Sequence, residues 1–143
     1  IRHDQRHETK RAQYSLIIDE EGYSGPIAGI LSAGDYDPHS GWLVVACDMP
    51  FLDNQTIDQL IRARNPETTA TLFQSIDGSG FEPLCAIYEP RFFSEIASDS
   101  EFIKNAGPRE TLSKMNLEIL DPLNPDALFS ANVSIEEIIN RLR

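Results

Sequence analysis

The sequence predicts an α/β fold: a three-layer α/β/α sandwich around a mostly parallel sheet, formed as one domain over residues 1–143. Three observations predict it. Short apolar runs alternate with helical patterns, the order expected when helices cover a sheet on both faces. The run Trp42-Leu-Val-Val-Ala46 is continuously apolar, as in a strand covered on both sides. The length of 143 residues buries a real core but is too short for two ordinary domains.

Taken in order, Tyr14 to Ile18 is the first strand-like run, closed by the acidic turn Asp19-Glu20-Glu21-Gly22. Gly25-Pro26 opens a helix, with proline at an early position, Ile27, Ile30 and Leu31 at helical spacing, and Gly34 as its stop. The strand Trp42 to Ala46 leads into a loop, Cys47 to Asp53, and then a helix with Ile57, Leu60 and Ile61 on one side runs to about Asn65-Pro66. Thr69 to Gln74 and Leu84 to Tyr88 read as two strands of a hairpin around the turn-rich Asp77-Gly-Ser-Gly80. Pro90 starts a helix carrying Phe92, Phe93 and Ile96. Leu112 and Met115 mark a short helix, and Leu117 to Leu120 a late strand. Ser134 and Glu137 form a capping box before a final helix with Ile135, Ile138, Ile139 and Leu142. The order β-α-β-α-β-β-α-α-β-α is that of a Rossmann-like sandwich.

Twelve Lys and Arg stand against 23 Asp and Glu, a net charge of −11. So acidic a chain has no basic footprint for a nucleic-acid backbone or an anionic membrane, and neither is expected as a partner. No apolar run approaches the ~20 residues of a membrane span, and no export signal opens the chain. Cys47 and Cys85 lack metal spacing and read as buried free thiols in a reducing cytoplasm. The chain starts at Ile1, without Met, inside what reads as the end of a strand; this predicts a fragment.

The segment Val45-Ala-Cys-Asp48-Met-Pro-Phe-Leu-Asp53 carries the chemistry. A buried strand ends and presents Asp48 in a loop stiffened by Pro50, and open α/β sheets bind ligands beyond the carboxyl ends of their strands. A carboxylate there suits Mg²⁺, which keeps several waters and takes further ligands from substrate phosphates. Asp48 as a plain loop or helix cap fits the residues equally well. Asp53, directly before the helical pattern, reads as the N-cap. His3 and His7, at i, i+4, have no third ligand near in sequence, and with His39 they read as solvated.

Three motifs in order, Gly25-Pro-Ile-Ala-Gly29-Ile, Val45-Ala-Cys-Asp48-Met-Pro-Phe-Leu-Asp53 and Glu82-Pro-Leu-Cys-Ala-Ile-Tyr88, resemble the MobA-type molybdenum cofactor guanylyltransferases. That resemblance covers nearly the whole chain. It implies a nucleotidyltransferase domain that joins GMP from Mg-GTP to molybdopterin, releasing pyrophosphate, in the cytoplasm. It assigns Mg²⁺ to Asp48, the guanine nucleotide to Asp19 and to the turn of Gly25, Pro26 and Gly29, and the pterin side to Arg109 and Asn132. The family's glycine-rich opening, LAGGxSxRMGxDK, is absent. An N-terminal βα unit is therefore expected to be missing, and the fragment alone is expected to be inactive. Near the end, Ser130-Ala-Asn132 stands where the family has N-x-N-T-P, so only one asparagine is kept. Two readings compete: a sibling enzyme (a cytidylyltransferase or a guanylyltransferase for a small phospho-acid) and a non-catalytic nucleotide-binding domain. Sheet edges left open by the missing strand imply self-association, or pairing with the missing N-terminal segment.

Overall fold

The computed structural model of the chain describes residues 13–19, 22–23, 25–76, 78–97 and 107–131. Helix α1 spans Pro26–Tyr36, strand β1 Trp42–Val45, α2 Asn54–Arg62, β2 Ala70–Gln74, β3 Phe81–Tyr88, α3 Pro90–Ala97, α4 Pro108–Leu112 and β4 Leu117–Leu120. A 3₁₀ turn, Pro125–Leu128, follows. The final helix expected from Ser134, together with Asn132, His3 and His7, lies outside the described residues.

The four strands form one sheet in the order β1-β3-β2-β4. β3 runs antiparallel to both β1 and β2, and β2 pairs parallel with β4. Among the described residues three strands therefore share a direction and β3 is reversed, so the sheet is mixed: two of its three described ladders are antiparallel, where a mostly parallel sheet was expected. One of the two, β2–β3, follows from the short connection between its strands, in which the Ser75 amide donates to the Gly80 carbonyl at 2.9 Å. A tight turn can only join antiparallel strands. Gly78 and Gly80 take φ of 73° and 109°, conformations costly for any side chain.

Alternation along the strands splits the core between two faces. Ala70, Leu72, Ala86 and Tyr88 pack against α1, α3 and α4 through Ile27, Ile30, Leu31, Phe92, Ile96 and Leu112. Phe73, Cys85 and Ile87 pack on the other face with Leu60 of α2, Met49 and Leu128. The three layers expected from the sequence are present.

Four local expectations are corrected. Residues 15–18 of the strand-like run Tyr14 to Ile18 have no regular secondary structure. β-patterning records only a tendency, which becomes a strand when a ladder forms beside it. Gly34 does not end α1 but lies inside it, because a Cβ there would stand 2.1 Å from Cδ1 of Phe93. It is the point where α1 and α3 touch. β1 is covered on one face only among the described residues: Val44 packs on the core, whereas Leu43 and Val45 stay 43% and 40% exposed. Of the two cysteines only Cys85 is buried; Cys47, in the turn past the strand end, is exposed. Burial and then the charge of Glu82 push the Cys85 thiol up to about 12, so it stays protonated.

Candidate active site

The site begins where β1 ends. The Ala46 amide donates to the Leu84 carbonyl at 2.8 Å, prolonging the β1–β3 ladder by one residue. The chain then turns, and Asp48 stands half-buried at the strand's carboxyl end. Met49 anchors this turn in the core beneath it, and Asp53 closes the loop as the N-cap of α2, its carboxylate accepting the Thr56 amide at 2.7 Å. The capping role read from the sequence is thus what the structure has.

A late segment of the chain clasps this loop. The Ser130 hydroxyl donates to Oδ2 of Asp48 at 2.7 Å, and the Ala131 amide donates to the Asp48 carbonyl at 2.7 Å. The Phe129 ring packs against Phe51 at 5.9 Å between centroids. Further back, the Asn124 side-chain amide donates to Asp53 at 2.8 Å. This bond, then the Thr56 amide, holds the Asp53 carboxyl below the usual carboxylate range.

β3 supplies the opposite wall through an irregularity. Its pairing with β2 jumps from Leu72↔Ala86 to Phe73↔Glu82, so Pro83, Leu84 and Cys85 bulge away from β2. Pro83 has no amide to lose from the ladder. The other displaced groups find side chains: the Leu84 amide donates to Glu82 at 3.0 Å, and the buried Tyr88 hydroxyl donates to the Pro83 carbonyl at 2.8 Å. The bulge pushes Pro83 and Leu84 into the wall of a cleft of about 370 Å³ that Asp48, Pro26, Glu82, Arg109 and Ser130 also line. Arg109 is held there by donation from Nε to the Phe81 carbonyl at 3.1 Å and by Glu82, whose carboxylate lies 3.6 Å from Nη2.

A second cleft of about 530 Å³ adjoins the first along β1 and α1, sharing Pro26, Ala46, Asp48 and Leu84, and adding Gly29, Ile30 and Cys47. Gly25, at φ 71°, turns the chain into α1 just before Pro26. The carboxylate of Asp19 lies beside Gly29, with Oδ1 3.6 Å from where a Cβ would stand. Asp48, Pro26, Gly29 and Arg109 therefore converge on one pair of clefts, with Asp19 and Gly25 flanking them. Asn132 lies one residue beyond the described chain.

Sequence reasoning missed Ser130 as a partner of Asp48 and Glu82 as the counter-ion of Arg109. Proline inside the apolar run after Glu82 was the available signal for the bulge. No group of three or more His, Cys, Asp or Glu side chains converges on a metal position among the described residues. No helix among them is long and apolar enough to cross a membrane.

Residues 1–118 match the family model of the MobA-like NTP transferase domain. The molybdenum cofactor biosynthesis bifunctional protein of Synechocystis sp. is 27% identical over 122 residues, covering 85% of this chain and 34% of that protein. The molybdenum cofactor guanylyltransferase of Shewanella sediminis is 28% identical over 134 residues, covering 89% of this chain and 66% of that one. This chain thus spans less than two-thirds of either relative. Among solved structures, molybdopterin-guanine dinucleotide biosynthesis protein A from Archaeoglobus fulgidus shares the fold, with a TM-score of 0.73 at 21% identity over 98% of this chain and 76% of that one. With a mixed sheet sandwiched between helices and a carboxylate loop at the end of β1, the chain belongs to the MobA-like NTP transferase domain family.

Proposed function

We propose that the protein carrying this chain transfers GMP from GTP to molybdopterin, with release of pyrophosphate, in the cytoplasm. The observation that carries the reading is the position of Asp48 at the carboxyl end of β1, in a cleft shared with Pro26 and Arg109. In the reaction the molybdopterin phosphate attacks the α-phosphorus of GTP in line and pyrophosphate leaves from the opposite side.

Asp48, a half-buried carboxylate at a cleft, is a donor suited to Mg²⁺, whose remaining ligands come from waters and phosphates. Bound there, Mg²⁺ would neutralise charge developing on the transferring phosphoryl group. Asp48 is the residue proposed to hold it. Asp19 and the turn of Gly25, Pro26 and Gly29 are proposed to face the guanine: a carboxylate accepts from N1–H and the exocyclic amine together, a donor pair that cytosine does not offer. Arg109 is proposed to meet the phosphate on the pterin side, where a guanidinium forks two oxygens. Asn132 is proposed for the same side.

The test is nucleotide turnover by the protein as its gene encodes it. Asp48→Ala is expected to lower GTP turnover by at least about a hundredfold with the fold intact. GTP is expected to bind more tightly than CTP in calorimetric titration. Activity of Asp48→Ala within a few-fold of wild type would refute the metal role, and equal CTP binding would favour a cytidylyl-transferring sibling.

A further inference from the structure

We infer that Ser130 is a positioning residue: it fixes the rotamer of Asp48 so that the carboxylate meets a divalent cation in one orientation. The inference rests on the metal-holding role proposed for Asp48 and adds a residue from the far end of the chain to it. The Ser130 hydroxyl donates to Oδ2 of Asp48 at 2.7 Å, and the Ala131 amide donates to the carbonyl of the same aspartate at 2.7 Å. One bond fixes the side chain and the other the backbone from which it springs. A carboxylate at the end of a strand otherwise samples several staggered χ1 wells, only some of which aim into the cleft.

The segment that brings Ser130 there is itself tied down. Gln59 of α2 donates from Nε2 to the Asp121 carbonyl at 2.8 Å and accepts the Leu123 amide at 3.1 Å. Asn124 is bonded to Asp53 at 2.8 Å, and Leu128 and Phe129 are buried. Residues 121–131 thus form a strap running from α2 to the Asp48 loop, attached at both ends of that loop. A serine hydroxyl on such a strap has one rotatable bond of its own, so little freedom is left between the strap and Asp48. Hydrogen bonds to a ligating carboxylate orient it, and their loss typically weakens metal binding about 10–100-fold.

The experiment measures binding of Mn²⁺, as a paramagnetic stand-in for Mg²⁺, by electron paramagnetic resonance in the presence of a non-hydrolysable GTP analogue. It uses the gene-encoded protein and its Ser130→Ala, Ser130→Thr and Asp48→Ala variants, with Tm recorded for each. Ser130→Ala is expected to weaken Mn²⁺ binding by about tenfold while shifting Tm by no more than a few degrees. Ser130→Thr, which keeps the hydroxyl, is expected to restore binding to within about threefold of wild type. Binding by Ser130→Ala within twofold of wild type overturns the inference, as does weakened binding that threonine does not restore. Asp48→Ala separates the two readings. If it binds Mn²⁺ as wild type does, the metal role of Asp48 itself falls. If it loses the ion while Ser130→Ala keeps it, only the positioning role falls.

Discussion

Two arginine–glutamate pairs sit at opposite ends of β3, and they are built differently. Glu89, immediately after the strand, is gripped by Arg64 through two hydrogen bonds of 2.6 and 2.8 Å, with 2% of its side chain exposed. Glu82, near the start of the strand, is 15% exposed and lies 3.6 Å from Arg109. Gly41 is pressed against the first pair, where a Cβ would stand 2.6 Å from Nη2 of Arg64. The second pair lines the cleft. A closed fork on a buried carboxylate has no geometry left to give, so it locks the chain. A looser pair at a cleft can exchange a carboxylate for an incoming anion at small cost. Similar chemistry on one strand thus serves fixation at one end and availability at the other.

Breaking the tight pair should have the largest effect on stability. Arg64→Ala leaves Glu89 buried without its guanidinium and is expected to cost on the order of 3 kcal/mol in chemical denaturation. Arg64→Lys should recover only part of this, since an ammonium cannot make the fork. Next comes Tyr88→Phe, which removes the donor to the buried Pro83 carbonyl. It should cost about 1–3 kcal/mol and loosen the Glu82 end of β3 selectively, seen as faster amide hydrogen exchange at Leu84 than at Glu89. Arg109→Ala should change stability by less than about 1 kcal/mol. If Arg109 has the role proposed for it, the substitution should instead raise KM for the phosphate-bearing acceptor, which steady-state kinetics would report. If Arg109→Ala proves as destabilising as Arg64→Ala, the contrast between the two pairs is wrong.

The smallest effect concerns pH. The Asp53 carboxyl is held below its ordinary value first by the Asn124 amide and then by the Thr56 amide. Its ionised form therefore stabilises the fold fully above the unfolded-state value of about 4, and that contribution fades as pH falls through the lower folded-state value. In Tm measured from pH 7 down to 3, Asp53→Asn should show a shallower acid limb than wild type.

The parts of this molecule legible in the sequence are those whose cause is local. The hairpin from Ala70 to Tyr88 followed from two apolar runs around a glycine turn, and the Asp53 cap from one residue before a helical pattern. Asp48 was legible because strand ends announce themselves. The unreadable parts depend on distant neighbours. Gly34 looks like a helix stop until Phe93 is placed against it. Cys47 reads as buried because the strand before it is apolar, yet the turn carries it outward. The bond from Ser130 to Asp48 joins residues 82 apart, a distance over which no periodicity carries information.

That separation also sets an order of events during synthesis. Chains emerge from the ribosome amino end first, at roughly 5–20 residues per second. β1 and α2 are available early, and the β2–β3 hairpin closes over a short loop. The Asp48 turn, however, gains its clasp only once Ser130 and Ala131 have been made and have come back across α2. The cleft is therefore completed by some of the last residues in the described chain to be translated. A ribosome stalled partway would display the sheet but not the finished pocket.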